Sequence, residues 1–86
     1  MKSSSITVTT SPTLIVGADN QNRYVYLHIM GNATVYLGNG TVTTSTGLPT
    51  EKHTSPIEIM IPLGETLYGI VVADTEVVRV LTRDVD

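Results

Sequence analysis

The sequence predicts an all-β fold, and its composition and its turn spacing carry that prediction. Fourteen Thr, eleven Val and seven Ile make up more than a third of the 86 residues. These β-branched side chains favour pleated sheets over helices. Ala, the strongest helix former, occurs only three times. About eight short runs, bounded by turn residues every 8–12 positions or so, are typical of sandwiches and barrels. We therefore expect a small, single-domain antiparallel β-sandwich or jelly-roll-like barrel.

The first half of the chain is expected to hold a polar arm and five strands. Residues 1–5 are polar after Met1 and predict a flexible N-terminal arm, which leaves the sandwich domain to residues 6–86. Each run after the arm alternates or is wholly apolar, and each ends at Pro, Gly or Asn residues that favour turns. The expected strands are 6–9, 14–16, 23–30, 34–37 and 41–44.

The second half begins with the longest irregular stretch, residues 45–55, and a loop of this length is often an interface. Pro56 then opens a strand over residues 57–61, with three isoleucines on one face. Further strands are expected at 67–73, which is almost wholly apolar, and at 77–82, before a charged tail of Arg83, Asp84 and Asp86.

The strongest strand, 23–30, and the strand after it predict a hairpin. A two-residue loop would scatter the apolar side chains over both faces, whereas the loop Gly31-Asn32-Ala33 keeps them together, so the second register is expected. It pairs Ile29 with Val35 and Leu27 with Leu37. The apolar face is then Val25, Leu27, Ile29, Val35 and Leu37, and the other face carries Tyr24, Tyr26, His28, Met30, Thr34 and Tyr36.

The tyrosine-bearing face is the candidate interaction site. Tyr and Met are enriched where proteins contact one another, which favours Tyr24, Tyr26, His28, Met30 and Tyr36 as a subunit or partner contact. Two alternatives stay open. The face is the core side of a second sheet, or its tyrosines stack against a sugar.

Charge and motif content exclude several function classes. A net charge of −3 with only five basic residues argues against a nucleic-acid partner. The absence of Cys excludes disulfides and thiolate metal sites. His28 and His53 lack metal-ligand spacing, and neither a nucleophile elbow nor a phosphate loop occurs. We expect neither an enzyme nor a metal or cofactor site.

Two arginines lie within the expected strands, Arg23 and Arg79. Arg23 is expected either to pair with Asp19 across a turn or to serve an interface, and Arg79 to mark the outer face of the last strand. No apolar run reaches the length of a membrane span, and the start of the chain lacks the apolar run of a signal peptide. The chain is therefore expected to stay cytoplasmic unless it is carried out in a particle.

One family resemblance rests on the order of these strands and turns. The segments that carry it are Arg23-Tyr24-Val25-Tyr26-Leu27-His28-Ile29, Val35-Tyr36-Leu37-Gly38, Val42-Thr43 and Gly47-Leu48-Pro49. Over roughly residues 6 to 82 the chain resembles small all-β virion proteins of tailed bacteriophages, the head-decoration or cement proteins. The chain shows no trimer signature and no basic patch for an acidic shell.

The resemblance implies a structural role on the outer capsid surface, with the chain in the host cytoplasm before assembly. It implies binding to the major capsid protein as a homo-oligomer, with a trimer favoured, and an N-terminal arm that adds a strand to the capsid or to a neighbour. The arm residues would be Ser3, Ser4, Ser5, Ile6 and Val8. The alternative function is a carbohydrate- or partner-binding module of a phage appendage, such as a head fibre, neck or tail.

Overall fold

The computed structural model describes residues 1–83 and contains strands, turns and loops there, with no helix. Two antiparallel sheets of four strands each form a sandwich, so the predicted all-β fold class is confirmed. Positions 84–86, with the end of the predicted domain and tail, lie outside the described residues. The eight strands of residues 1–83 are β1 (Lys2–Val8), β2 (Thr13–Val16), β3 (Arg23–Ile29), β4 (Val35–Gly38), β5 (Leu48–Thr50), β6 (Ile57–Ile61), β7 (Leu67–Ile70) and β8 (Glu76–Thr82).

The strand order is that of a jelly roll. Sheet A has the order β1-β8-β3-β6, and sheet B has the order β2-β7-β4-β5. Each strand pairs antiparallel with its counterpart from the other end of the chain: β1 with β8, β2 with β7, β3 with β6 and β4 with β5. A long hairpin folded over into two sheets gives this nesting, which is the eight-stranded jelly-roll arrangement.

The core lies between the two sheets and is built by the period-two alternation of each strand. In β3, Val25, Leu27 and Ile29 are buried, and the alternate residues Tyr24 and Tyr26 are exposed. Successive side chains of a strand point to opposite faces, so one face of each sheet turns inward. The core residues are Val8, Ile15, Val16, Val25, Leu27, Ile29, Val35, Leu37, Ile61, Leu67, Val71, Val78 and Val80.

The predicted hairpin between residues 23–30 and 34–37 is wrong. β3 lies in sheet A beside β6 and β8, and β4 lies in sheet B beside β5 and β7. The residues expected on one apolar face are nevertheless all buried in the same core. Two strands that face each other across a sandwich bury the same alternate positions as two strands paired in a hairpin, so the alternation alone does not distinguish them.

The crossover between β3 and β4 is held by a buried carboxylate. Glu76, at the start of β8, is 7% exposed. Its carboxylate accepts hydrogen bonds from the backbone N–H groups of Gly31 at 2.9 Å, Ala33 at 3.0 Å and Val77 at 2.9 Å. A Cβ at Gly31 would lie 2.6 Å from the carboxylate oxygens, so a side chain at this position would displace the carboxylate.

The predicted arm over residues 1–5 is instead the first half of an edge strand. β1 begins at Lys2, and its register with β8 runs from Lys2 opposite Thr82 to Val8 opposite Glu76. Ser3 and Ser5 therefore lie in the sheet. A run of serines carries no apolar alternation, so its pattern does not indicate that the strand begins before Ile6.

Two predicted strands differ from the observed ones in sheet B. Residues 41–44 form turns rather than a strand, and β5 falls inside the stretch that was expected to be irregular. Val42 is buried because this loop folds back onto the sheet, where a Cβ at Gly38 would lie 2.8 Å from it. The run predicted at 67–73 pairs only as far as Ile70.

Arg23 is buried rather than paired with Asp19. Its guanidinium donates to the carbonyl oxygens of Gly17, Gln21 at 3.3 Å and Glu65 at 3.2 Å, and so joins the loops before β3 and before β7. Asp19 instead accepts from Arg83 at 3.2 Å.

Candidate interaction surface

The outer face of sheet A, which we call the open face, is the candidate interaction surface. No described strand or loop covers it within residues 1–83. The strand register places Leu81, Tyr26 and Glu58 in one row across β8, β3 and β6. Arg79 and His28 form the next row on one side, and Tyr24 and Met60 form the next row on the other. Arg79 is exposed there, which confirms its expected outward orientation.

The open face exposes large apolar side chains close together. Tyr24 is 61% exposed, Met60 48% and Leu81 38%. Single exposed apolar residues are ordinary on a protein surface, but neighbours on adjacent strands form a continuous patch, and such patches often mark interaction sites.

A hydrogen bond orders the centre of the open face. The Tyr26 hydroxyl donates to Glu58 Oε2 at 2.8 Å, across the β3–β6 pair. This hydrogen bond first, and then the negative charge of the Glu58 carboxylate, raises the pKa of Tyr26 above its ordinary value of 10.0. Tyr26 therefore keeps its proton, and its ring is held in place without being buried.

A groove runs along the open face on the β1 side of Tyr26. Its volume is about 580 Å³. Its lining includes Ser3 and Ser5 from β1, Arg79 and Leu81 from β8, and Tyr26 and His28 from β3. The small side chains of Ser3 and Ser5 leave the groove open toward the edge of the sheet. Arg79 supplies one permanent positive charge beside the groove, and Tyr26 and Leu81 supply apolar surface.

The five residues predicted as a contact do not all share this face. Tyr24, Tyr26 and His28 lie on the open face. Met30 comes directly after the last residue of β3, and its side chain is 43% exposed. Tyr36 lies on β4 of sheet B, opposite Pro49 and Ile70. Its side chain is on the far side of the sandwich, so the predicted five-residue cluster is wrong as a single surface.

The predicted arm residues divide between the two faces of β1. Ser3 and Ser5 reach the open face and line the groove. Ile6 packs against the core and Val8 is fully buried in it. Ser4, between Ser3 and Ser5 in the sequence, lies opposite Val80 of β8.

Glu58, Met60, Arg79 and Leu81 belong to the open face and were missed as members of it. Alternation within β6 and β8 does place these residues outward. What the sequence lacked was the strand order, because nothing in residues 57–61 or 77–82 says that these strands flank β3.

Outside the open face, the described residues offer little chemistry. Among residues 1–83 no group of three or more His, Cys, Asp or Glu side chains could hold a metal ion. His53 accepts a 3.4 Å hydrogen bond from the Ser55 backbone N–H in an exposed loop. The part of the chain that the structure describes contains no helix long and apolar enough to cross a membrane.

Comparison with known proteins adds no relative: no family model, no curated protein and no solved structure matches this chain.

Proposed function

We propose that this chain is a structural virion protein of a tailed bacteriophage, which binds the major capsid protein as an oligomer. It would decorate or cement the outer capsid shell and carry out no catalysis. The single observation that carries the proposal is the open face, a continuous patch of exposed Tyr, Met and Leu side chains around Tyr26.

The composition of the open face supports a protein partner. Tyrosine and methionine are enriched at interface cores because each presents a large apolar surface that adapts to a partner. The two longer extents of the molecule, 34 and 27 Å, bound an area of about 900 Å². A standard interface buries roughly 800 Å² on each partner, so one broad face is large enough to dock.

The topology supports the proposal only by analogy. Jelly rolls of eight strands occur in viral capsid proteins and also in lectins. A fold alone does not establish a function, so the argument rests on the residues of the open face.

The first experiment is to count this chain in purified virions against the major capsid protein by quantitative mass spectrometry. The proposal expects a copy number comparable to that of the capsid protein. Absence from the particle contradicts it, and a few copies per particle would place the chain on an appendage instead.

The second experiment asks whether the open face makes the contact. Tyr24→Ser removes an exposed ring from the open face, and we expect it to weaken binding to assembled capsids by about tenfold or more, since interface tyrosines are frequent hot spots. Leu14→Ser is the matched control, because Leu14 is 45% exposed but lies on β2 of sheet B. Equal binding by the two variants would move the contact away from the open face.

A carbohydrate-binding module of a phage appendage is the second candidate. It is favoured by the exposed ring of Tyr24 and by the neighbouring Tyr26–Glu58 pair, which combines an aromatic surface with a hydrogen-bonding carboxylate. A glycan array probed with wild type and Tyr24→Ser tests it. Binding that depends on Tyr24 supports this candidate, and an array without binding removes it.

A further inference from the structure

The four edge strands of residues 1–83 differ in how they are protected against pairing with another strand. β6 has five residues between Pro56 and Pro62. β2 has four residues and a register shift between Leu14 and Val16. β5 has three residues, with Pro49 in the middle. Short length, proline and bulges are the features by which proteins keep sheet edges from adding strands.

β1 has seven residues with no proline and no register shift, and its one charged side chain, Lys2, stands at the end of the strand. Its register with β8 is continuous from Lys2 to Val8, which holds the strand extended. The chain leaves this edge at Thr9, whose carbonyl accepts from the Val71 N–H at 3.0 Å. The open length is therefore residues 2–8, with Ser5 at its centre.

The hydrogen-bond pattern shows which backbone groups of β1 face outward. The Met30 N–H donates to the Val77 carbonyl at 3.0 Å, so Val77, Arg79 and Leu81 direct their backbone groups toward β3. In a strand these directions alternate, so Val78, Val80 and Thr82 face β1. Their partners Ile6, Ser4 and Lys2 face β8 in turn. The backbone groups of Ser3, Ser5 and Thr7 point away from the sheet.

We propose that the β1 edge pairs with the β1 edge of a second copy of this chain, antiparallel and with Ser5 opposite Ser5 on the two-fold axis. This register pairs residues 2–8 completely, with Ser3 opposite Thr7, Ser4 opposite Ile6 and Lys2 opposite Val8. It joins two copies of sheet A into one eight-stranded sheet. About six backbone hydrogen bonds form, two for each of the three outward-facing residue pairs.

A second copy is the occupant because the edge is self-complementary. Lys2 is the only charged side chain of β1, and in this register the two copies of Lys2 stand at opposite ends of the paired segment. The pairs on the open face are Ser and Thr, which are favourable cross-strand neighbours. A nearly neutral edge also has no charge with which to select a charged foreign strand. Isologous pairing closes at two copies, so the expected assembly is a dimer rather than the trimer that the family resemblance favours.

Analytical ultracentrifugation of the purified chain, from micromolar to millimolar concentrations, measures its oligomeric state. The experiment contains no capsid, so its outcome does not depend on the proposed capsid function. Wild type is expected to form a dimer. Ser5→Pro removes an outward-facing N–H and keeps the backbone groups that face β8. We expect it to weaken association by about tenfold or more, while Ser5→Thr associates like wild type. A monomeric wild type, or a Ser5→Pro variant that associates normally, overturns the proposal.

A charge pair tests the register and guards against a variant that simply misfolds. One variant carries Ser3→Glu and Thr7→Glu and the other carries Ser3→Lys and Thr7→Lys, at positions that lie opposite the uncharged Leu81 and Val77 within the chain. Because residue 3 of one copy lies opposite residue 7 of the other, each variant places like charges opposite one another, so each alone is expected to be monomeric. An equimolar mixture is expected to form a heterodimer close to wild-type affinity. A mixture that associates no better than either variant alone overturns the two-fold register.

Discussion

Glu76 stabilises the crossover between the sheets because one buried carboxylate satisfies three backbone donors. Glu76→Ala leaves those N–H groups without acceptors in a site that water does not readily reach. We expect it to lower the free energy of unfolding by about 2–3 kcal/mol, since each unsatisfied buried donor is costly. In a domain of this size, thermal melting should fall by roughly 4–8 °C for each kcal/mol.

Glu51→Ala is the matched control for this prediction. Glu51 also accepts a hydrogen bond, from the Thr34 hydroxyl at 3.1 Å, but it lies in an exposed loop. Its loss should change the free energy of unfolding by no more than about 0.5 kcal/mol. If Glu76→Ala and Glu51→Ala have the same melting temperature, Glu76 does not stabilise the crossover.

Tyr26 is expected to titrate above pH 10.0, because its hydroxyl donates to the charged Glu58 carboxylate. A pKa raised on folding stabilises the native state fully below the unfolded pKa, and this contribution is lost as pH rises through the folded pKa. Glu58→Ala removes both the acceptor and the negative charge, so the Tyr26 pKa should move down toward 10.0. NMR titration of the Tyr26 ring carbons measures this, and an unchanged pKa in Glu58→Ala would contradict the assigned cause.

At the scale of elements, alternation predicts what each strand buries better than it predicts where the strand begins. β3 and β6 were placed within a residue, because apolar positions repeat every second residue between clear turn signals. The start of β1 was missed, because its serines carry no such repeat and are held by pairing with β8. Residues 41–44 resemble a strand in composition, but Val42 is buried by a turn rather than by a ladder.

Gly69 of β7 leaves room for side chains of its two neighbouring strands in sheet B, β2 and β4. Gly69 faces the core, where an added Cβ would lie 2.8 Å from Ile15 Cδ1 and 3.0 Å from Val35 Cγ1. Gly69→Ala therefore overpacks the core, and we expect a loss of about 1–3 kcal/mol in the free energy of unfolding. Gly17→Ala is the control, because no atom lies within 4 Å of its added Cβ. Urea unfolding compares them, and equal stability would mean that the core yields at Gly69.

At the scale of the molecule, the sequence does not predict which strands pair with one another. The apolar positions of β3 and β4 are consistent with a hairpin and with two strands facing each other across a core, and the second is observed. The same ambiguity shaped the candidate site. Tyr24, Tyr26 and His28 were identified together because they share one strand, whereas Tyr36 was added through a hairpin that does not form.

The nested topology makes β4–β5 the hydrogen-bonded strand pair with the smallest sequence separation within residues 1–83. Val35 pairs with Thr50, whereas Lys2 of β1 pairs with Thr82 near the other end of the described chain. Loop closure favours local pairs early, so we expect β4–β5 to form before β1–β8, and the dominance of distant pairs predicts refolding in milliseconds to seconds.

Val35→Ala and Val8→Ala test this order as a matched pair, because both valines are fully buried and both substitutions remove the same atoms. Val35→Ala is expected to slow refolding, and Val8→Ala to act mainly by speeding unfolding. Stopped-flow tyrosine fluorescence over a range of urea concentrations separates the two rates. Because each variant must lose more than about 0.6 kcal/mol for the ratio to be meaningful, equilibrium unfolding is measured alongside. A larger refolding effect at Val8 would mean that the ends of the chain meet first, so that the jelly roll closes from its outermost pair inward.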